Sequence, residues 1–236
     1  FKPPLKNKKD PNIVIIILET FPAFKCGILG NPSNPTPYFD ELAKESILFS
    51  NFYVPKLSTA ASIFCTLTGL PDMAVINKSS TRDPFAIHQE LLINQLGGYN
   101  KHFFMGGSAN WGDLNGFFKN NIKDIIIHEE GSYSSPETNA WGISDYHLLQ
   151  ETHKVLAEES EPFIAMVLTA GHHRPYTIPE NIPGFEKSGF TQEHRKYSFR
   201  EDDYYAFKFM DFALGEFIVE AKNADYFENT LFVVYG

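Results

Sequence analysis

At 236 residues the chain is long enough to bury one large core, and its apolar content of 43% is ordinary for a globular protein. A net charge of −9 argues against nucleic-acid binding, which needs a basic face, and two cysteines exclude a disulfide framework. No apolar run reaches the ~20 residues of a membrane span, and no signal peptide is visible. A phosphorylated substrate stays open, because a bound metal can supply positive charge locally.

The opening stretch "FKPPLKNKKD" carries two prolines and four lysines, and residues 1–11 read as a linker. Such linkers flank membrane anchors or are solvated tails. "NIVIIIL", 12–18, is a continuous β-branched run of the kind buried on both faces in a parallel sheet, with Glu19 at its end. "NPTPYFDELAKES" predicts a helix with Thr36 as N-cap and Pro37 as its first residue, ending near Ser46. "ILFSNFYV", 47–54, predicts a strand. "STAASIFCTLTGLP" predicts a helix that starts on capping residues and stops at Gly69 and Pro71.

The alternation continues. A helix is predicted over 88–98, a short strand and glycine turn over 100–107, and a helix over 145–159. A buried strand follows in "PFIAMVLTAG", 162–171, then a long helix over 202–223 and a closing strand at Leu231 to Tyr235. Alternating strands and helices define an α/β fold with a mainly parallel sheet and helices on both faces. Cys26 and Cys65 read as two buried thiols, with one bridge left open.

In open α/β sheets the chemistry gathers beyond the carboxyl ends of the strands. Glu19 and Thr20 stand there after the first strand, Ser58 and Thr59 at a helix start, and Thr169, His172 and His173 after the strand at 162–168. A threonine hydroxyl is a poor nucleophile unless a base or metal helps to ionise it. At a helix start the dipole and free N–H groups favour an anion there. The plainer reading makes Ser58 or Thr59 an N-cap and Glu19 a cap for the next segment. A histidine pair beside Arg174 in a strand-end loop leans functional.

Taken together, these segments resemble the extracytoplasmic catalytic domain of the lipoteichoic acid synthase and phosphoglycerol transferase group, in the sulfatase branch of the alkaline phosphatase superfamily. The resemblance runs from "PNIVIIILET" through "TPYFDELAKESILFSNFY", "STAAS", "TLTGLP" and "HHRPYTIP" to "DFALGEFIVEAKNADYFENTLFVVYG". It implies that Glu19 is a metal ligand and Thr59 both ligand and nucleophile, with Mn²⁺ or Mg²⁺ as the ion. His173 would contact the substrate's phosphate or leaving group, and Trp111 would line the pocket. Arg174 and His172 would join the substrate site, although His172 stands where the family usually has Asn.

The family's closing strand leads into Asp-His, two further ligands, which are expected past Gly236. The stretch as given is therefore expected to bind metal weakly and to be inactive. The implied reaction moves a phosphoglycerol-type group from a lipid-linked donor to an envelope glycan or polyol. The implied setting is extracytoplasmic, with membrane association through segments outside this stretch. Asp113 stands where teichoic acid members have Arg, which opens phosphoethanolamine transfer or phosphodiester hydrolysis as alternatives. "TAASI" lacks the formylglycine pattern of true sulfatases, which disfavours sulfate-ester hydrolysis. A non-catalytic glycan- or headgroup-binding domain is the alternative outside enzymes.

Overall fold

The computed structural model describes residues 10–74, 79–83, 88–160, 162–198 and 200–236. Most of the expected linker, residues 1–9, therefore lies outside the described residues. Five strands form one fully parallel sheet: β1 (Asn12–Ile17), β2 (Asn100–Met105), β3 (Ile125–His128), β6 (Phe163–Leu168) and β7 (Thr230–Tyr235). Their spatial order is β3-β2-β6-β1-β7. A two-stranded antiparallel hairpin, β4 (Glu137–Asn139) and β5 (Gly142–Ile143), stands apart from it.

Side chains alternate across a strand, so each strand feeds two cores. Val14, Ile16, Phe104, Ala165 and Val167 point to the face covered by α4 (Asp145–Glu158) and α5 (Glu201–Lys222). Ile17, Phe103, Met105, Met166 and Leu168 point to the face covered by α2 (Thr59–Thr68) and α3 (Leu114–Asn121). The expected α/β architecture with helices on both faces is what forms. β1 lies between β6 and β7, and Val14, Ile16 and Ile17 of "NIVIII" are buried under the helices on the two faces.

Several elements differ from the sequence reading. Residues 47–54 form no strand; Ile47, Phe49, Phe52 and Tyr53 are exposed, at 62%, 73%, 54% and 82%. Strand-like composition did not suffice where the chain only travels from α1 (Pro37–Lys44) to α2 and finds no neighbour to pair with. Residues 88–98 form only a short 3₁₀ turn, Leu92–Gln95, because Leu91 alone is well buried there. The sequence reading named neither α3, β3 nor the β4–β5 hairpin.

The caps also differ. Neither Thr36 nor Ser58 accepts a capping hydrogen bond through its side chain. Thr36 Oγ1 instead accepts from Gly27 N and donates to Asp40. The amino end of α1 is capped from a distance: Tyr38 N and Phe39 N donate to the Asp211 carboxylate on α5, at 3.0 and 2.8 Å. α2 does stop at Gly69, and Ser144 caps α4 by accepting from His147 N. Cys26 is buried, Cys65 is half-buried, and both are free thiols.

Candidate active site

β1 and β6 run side by side, and their carboxyl ends meet. Thr169 N donates to Ile17 O, and Glu19 N donates to Thr169 Oγ1 at 2.8 Å. The Glu19 side chain is thereby launched from the sheet edge. Thr59, the first residue of α2, faces it from across the edge. The Thr59 hydroxyl donates to Glu19 Oε2 at 2.8 Å, although 40 positions separate the two residues. Thr20 Oγ1 donates to the other carboxylate oxygen, Glu19 Oε1, at 2.9 Å. Glu19 and Thr59 are half-buried, so their oxygens are held but reachable.

The donor set is a carboxylate and a hydroxyl, which fits a hard divalent cation. It supplies only part of the roughly six donors such an ion takes. Among the described residues no group of three or more His, Cys, Asp or Glu converges on one point.

A second wall comes from the loop after β2. Gly112 has φ +66° and lies so close to α2 that a Cβ there would sit 3.0 Å from the Ala60 methyl. Thr81 Oγ1 donates to the Gly112 carbonyl at 2.7 Å and locks the turn. Trp111 is thus carried beside the first turn of α2, 38% exposed. Its ring meets Trp141 edge to face at 6.5 Å between centroids, and Trp141 lies 3.9 Å from the His173 ring. Trp141 Nε1 donates to the Arg174 carbonyl at 2.8 Å. The hairpin brings Trp141 there because Gly142, at φ +93°, presses on the Gly106 carbonyl, where a Cβ would come within 1.8 Å. Trp141 is a wall residue that sequence reasoning missed; the glycine on either side of the contact was the available signal.

The loop after β6 splits its two histidines. His173 is half-buried against Trp141, and the Arg174 side chain is exposed. His172 turns inward and is only 3% exposed. Its Nδ1 lies 2.7 Å from the Thr20 carbonyl and its Nε2 lies 2.7 Å from Asp203 Oδ1. With both nitrogens occupied and the ring buried, His172 holds the backbone and presents no free nitrogen at the surface, unlike the expectation that it joins the substrate site. Asp203 also receives Lys25 Nζ at 2.7 and 2.8 Å. Burial alone would raise the Asp203 carboxyl, but the His172 and Lys25 bonds outweigh it and hold it down at about 2. On the loop's other side the buried Asp145 carboxylate accepts from Ala170 N and Gly171 N. Burial raises its pKa against the pull of those two bonds. Lys25, Asp145 and Asp203 carry no motif; only the fold brings them together.

Asp113 is exposed and adopts a left-handed φ of +58°. Its carboxylate folds over Gly116 in the first turn of α3, where a glycine Cβ would lie 2.7 Å from Oδ1. No cation therefore stands at this position. Two open clefts of about 410 and 340 Å³ occur elsewhere, and neither is lined by Glu19, Thr59 or His173.

A carboxylate thus meets a helix-start hydroxyl at the carboxyl edge of a parallel sheet, with an aromatic and histidine wall alongside. The chain belongs to the sulfatase family, whose model matches residues 11–236. It is 24% identical over 246 residues to lipoteichoic acid synthase 1 of Bacillus subtilis, covering 97% of this chain and 36% of that protein. The chain thus spans about a third of that relative's length. Among solved structures, a protein of the alkaline phosphatase superfamily from Vibrio parahaemolyticus superposes with a TM-score of 0.81 at 29% identity, over 97% of this chain and 54% of the other. The lipoteichoic acid synthase LtaP of Listeria monocytogenes superposes at 0.79 with 21% identity, over 97% and 56%. The phosphoglycerol transferase GacH of Streptococcus pyogenes, in complex with sn-glycerol-1-phosphate, superposes at 0.66 with 17% identity, over 96% and 61%. The last two are likenesses of fold.

Proposed function

We propose that this chain is the catalytic core of a metal-assisted transferase that moves a phosphoglycerol-type group from a lipid-linked donor to an envelope glycan or polyol. The observation that carries the reading is the 2.8 Å contact between Thr59 Oγ1 and Glu19 Oε2 at the carboxyl edge of the sheet. The relatives named lipoteichoic acid synthase support the same class of reaction. A divalent ion, Mn²⁺ or Mg²⁺, held by Glu19 and Thr59 together with ligands supplied from outside this stretch, would lower the pKa of the hydroxyl and offset phosphate charge.

The chain's own residues perform the rest. The Thr59 oxygen, its proton lost to solvent, attacks phosphorus in line; the Oγ–P bond forms as the bond from phosphorus to the lipid's oxygen breaks. The free N–H groups of the first turn of α2 face the developing negative charge, and the helix dipole favours it. His173, fixed against Trp141, contacts the phosphate or gives a proton to the departing lipid alkoxide. An acceptor hydroxyl, or water, then gives its proton to His173 and attacks phosphorus from the vacated side, as the Oγ–P bond breaks and frees Thr59. Trp111 and Trp141 border the space in which the transferred group sits. Such a reaction suits an extracytoplasmic domain tethered at a membrane surface, with the tether outside this stretch.

A second reading rests on Asp113, which puts a carboxylate where an anion-binding arginine would favour glycerol phosphate. A donor with a cationic head, such as phosphoethanolamine, is favoured by that exchange. Turnover by the full natural chain with phosphatidylglycerol and with phosphatidylethanolamine, each labelled in the headgroup, tests the two. Transfer from phosphatidylglycerol alone is the expected result. Transfer from phosphatidylethanolamine alone moves the assignment to the second reading, and no transfer from either, with no release of headgroup, removes both.

A further inference from the structure

We propose that Lys25, Asp203 and His172 form a buried positioning relay that fixes the Glu19–Thr20 turn and thereby the aim of the Glu19 carboxylate. This inference rests on the reading of Glu19 and Thr59 as the metal-binding pair. Thr20 has φ +52°. That is the left-handed region, where a β-branched residue is strained and persists only if its surroundings hold it. The structure contains the holder. Glu19 N is tied to Thr169 Oγ1 on one side of the turn, and the Thr20 carbonyl is tied to His172 Nδ1 on the other.

The imidazole is itself aimed. Its Nδ1 stands against the Thr20 carbonyl and its Nε2 against Asp203 Oδ1, each at 2.7 Å, with Lys25 Nζ 3.4 Å from the same Nε2. Asp203 cannot swing away, because Lys25 Nζ grips both of its oxygens. Lys25 and Asp203 are 8% and 11% exposed at the side chain, so water does not compete for the pair. Lys25 ends the 3₁₀ turn Ala23–Lys25, only five positions after Thr20. Asp203 lies in the first turn of α5, and His172 follows β6. The relay thus ties the end of β1 to both α5 and β6. Its members are positioning residues. Partners of this kind behind a metal ligand carry ~10–100-fold in metal affinity or activity.

The test measures Mn²⁺ affinity by calorimetry, together with kcat and KM for the lipid donor, on the full natural chain. The variants are Glu19→Gln, Asp203→Asn, Lys25→Gln and Phe217→Leu. Phe217 is a buried core residue near the far end of α5 and serves as the control for lost stability. Expected are a loss of Mn²⁺ binding in Glu19→Gln and a ~10–100-fold weakening in both Asp203→Asn and Lys25→Gln, with kcat lowered and KM for the donor unmoved. Phe217→Leu is expected to lower the melting temperature with Mn²⁺ affinity unchanged. Wild-type Mn²⁺ affinity in Lys25→Gln and Asp203→Asn, alongside a loss in Glu19→Gln, overturns the relay and leaves the metal reading standing. Wild-type affinity in Glu19→Gln overturns the metal reading itself. Should Asp203→Asn not fold, Lys25→Gln decides alone, because there Asp203 keeps His172 as its partner. An equal weakening in Phe217→Leu would make the effect one of general stability and overturn the relay.

Discussion

Thr59 carries more of the proposed chemistry than any other side chain, because its oxygen both approaches the metal position and forms the new bond. Thr59→Ala is expected to lower turnover by at least ~10³-fold while leaving stability within about 1 kcal/mol of wild type, since the hydroxyl's bond goes to a half-buried Glu19 carboxylate that water can reach. Activity retained in Thr59→Ala and lost in Ser58→Ala would shift the nucleophile by one position. The relay behind Glu19 has a stability signature as well. Asp203→Ala leaves the Lys25 ammonium buried without its partner, and a loss of ~3–5 kcal/mol is expected in a denaturant melt. His128 supplies a test by pH. Burial, with the nearby charge of His102 and against that of Glu159, pushes its imidazole down to about 4. Its unfolded value is about 6.5, so between those values the unfolded chain binds the extra proton. Stability is therefore complete above pH ~6.5 and drains away as pH falls toward ~4. His128→Gln is expected to remove about 1–2 kcal/mol of that loss, an amount reduced for the half-exposed ring. Identical pH profiles for the two proteins would contradict the assignment.

Elements were legible where one segment contained its own reasons. β1 and β6 announce themselves as apolar runs because inner parallel strands are buried on both faces, and β7 shows a similar run although, outermost in the described sheet, it leaves Leu231 and Val233 exposed. α4 and α5 are long, and α5 begins on Glu201, Asp202 and Asp203 and ends on Lys222, the charge order that a helix dipole prefers. What failed to show was what depends on a distant partner. Phe49, Phe52 and Tyr53 have strand composition yet lie exposed, since composition says nothing about whether a neighbouring strand is at hand. The cap of α1 has the same cause: Thr36 is the local choice, but Asp211 does the capping from more than 170 positions away. Burial, reinforced by Asp40, pushes the Asp211 carboxyl up to about 7 despite the two N–H groups it receives. Asp211→Ala leaves both N–H groups without that acceptor and is expected to cost about 2 kcal/mol. Asp211→Asn keeps one accepting oxygen and is expected to cost less than half as much. Equal melting curves for Asp211→Ala and wild type would show that solvent replaces this cap.

For the molecule as a whole, the sequence conveyed the sheet class and the residues at its carboxyl edge, because strand ends and their polar followers are adjacent in the chain. It did not convey which of those residues face outward. His172 and His173 are neighbours in sequence, yet one is sealed into a relay and the other lies against Trp141. Only packing against α5 and the hairpin separates their roles. The charge balance is also a property of the whole. With a net charge of −9 and a carboxylate at position 113, the chain offers an anionic phosphodiester little attraction of its own. The exposed Arg174 and a bound divalent ion are the positive charges that the proposal leaves to meet it. The central claim is that Thr59 becomes covalently phosphorylated in turnover. It is tested most directly by incubating the full natural chain with the lipid donor and Mn²⁺, quenching in acid and sequencing the modified peptide by mass spectrometry. The account predicts the donor's phosphorylated headgroup on Thr59, and no such adduct in Thr59→Ala. An adduct on Ser58 or another residue, or transfer that persists in Thr59→Ala, would contradict it.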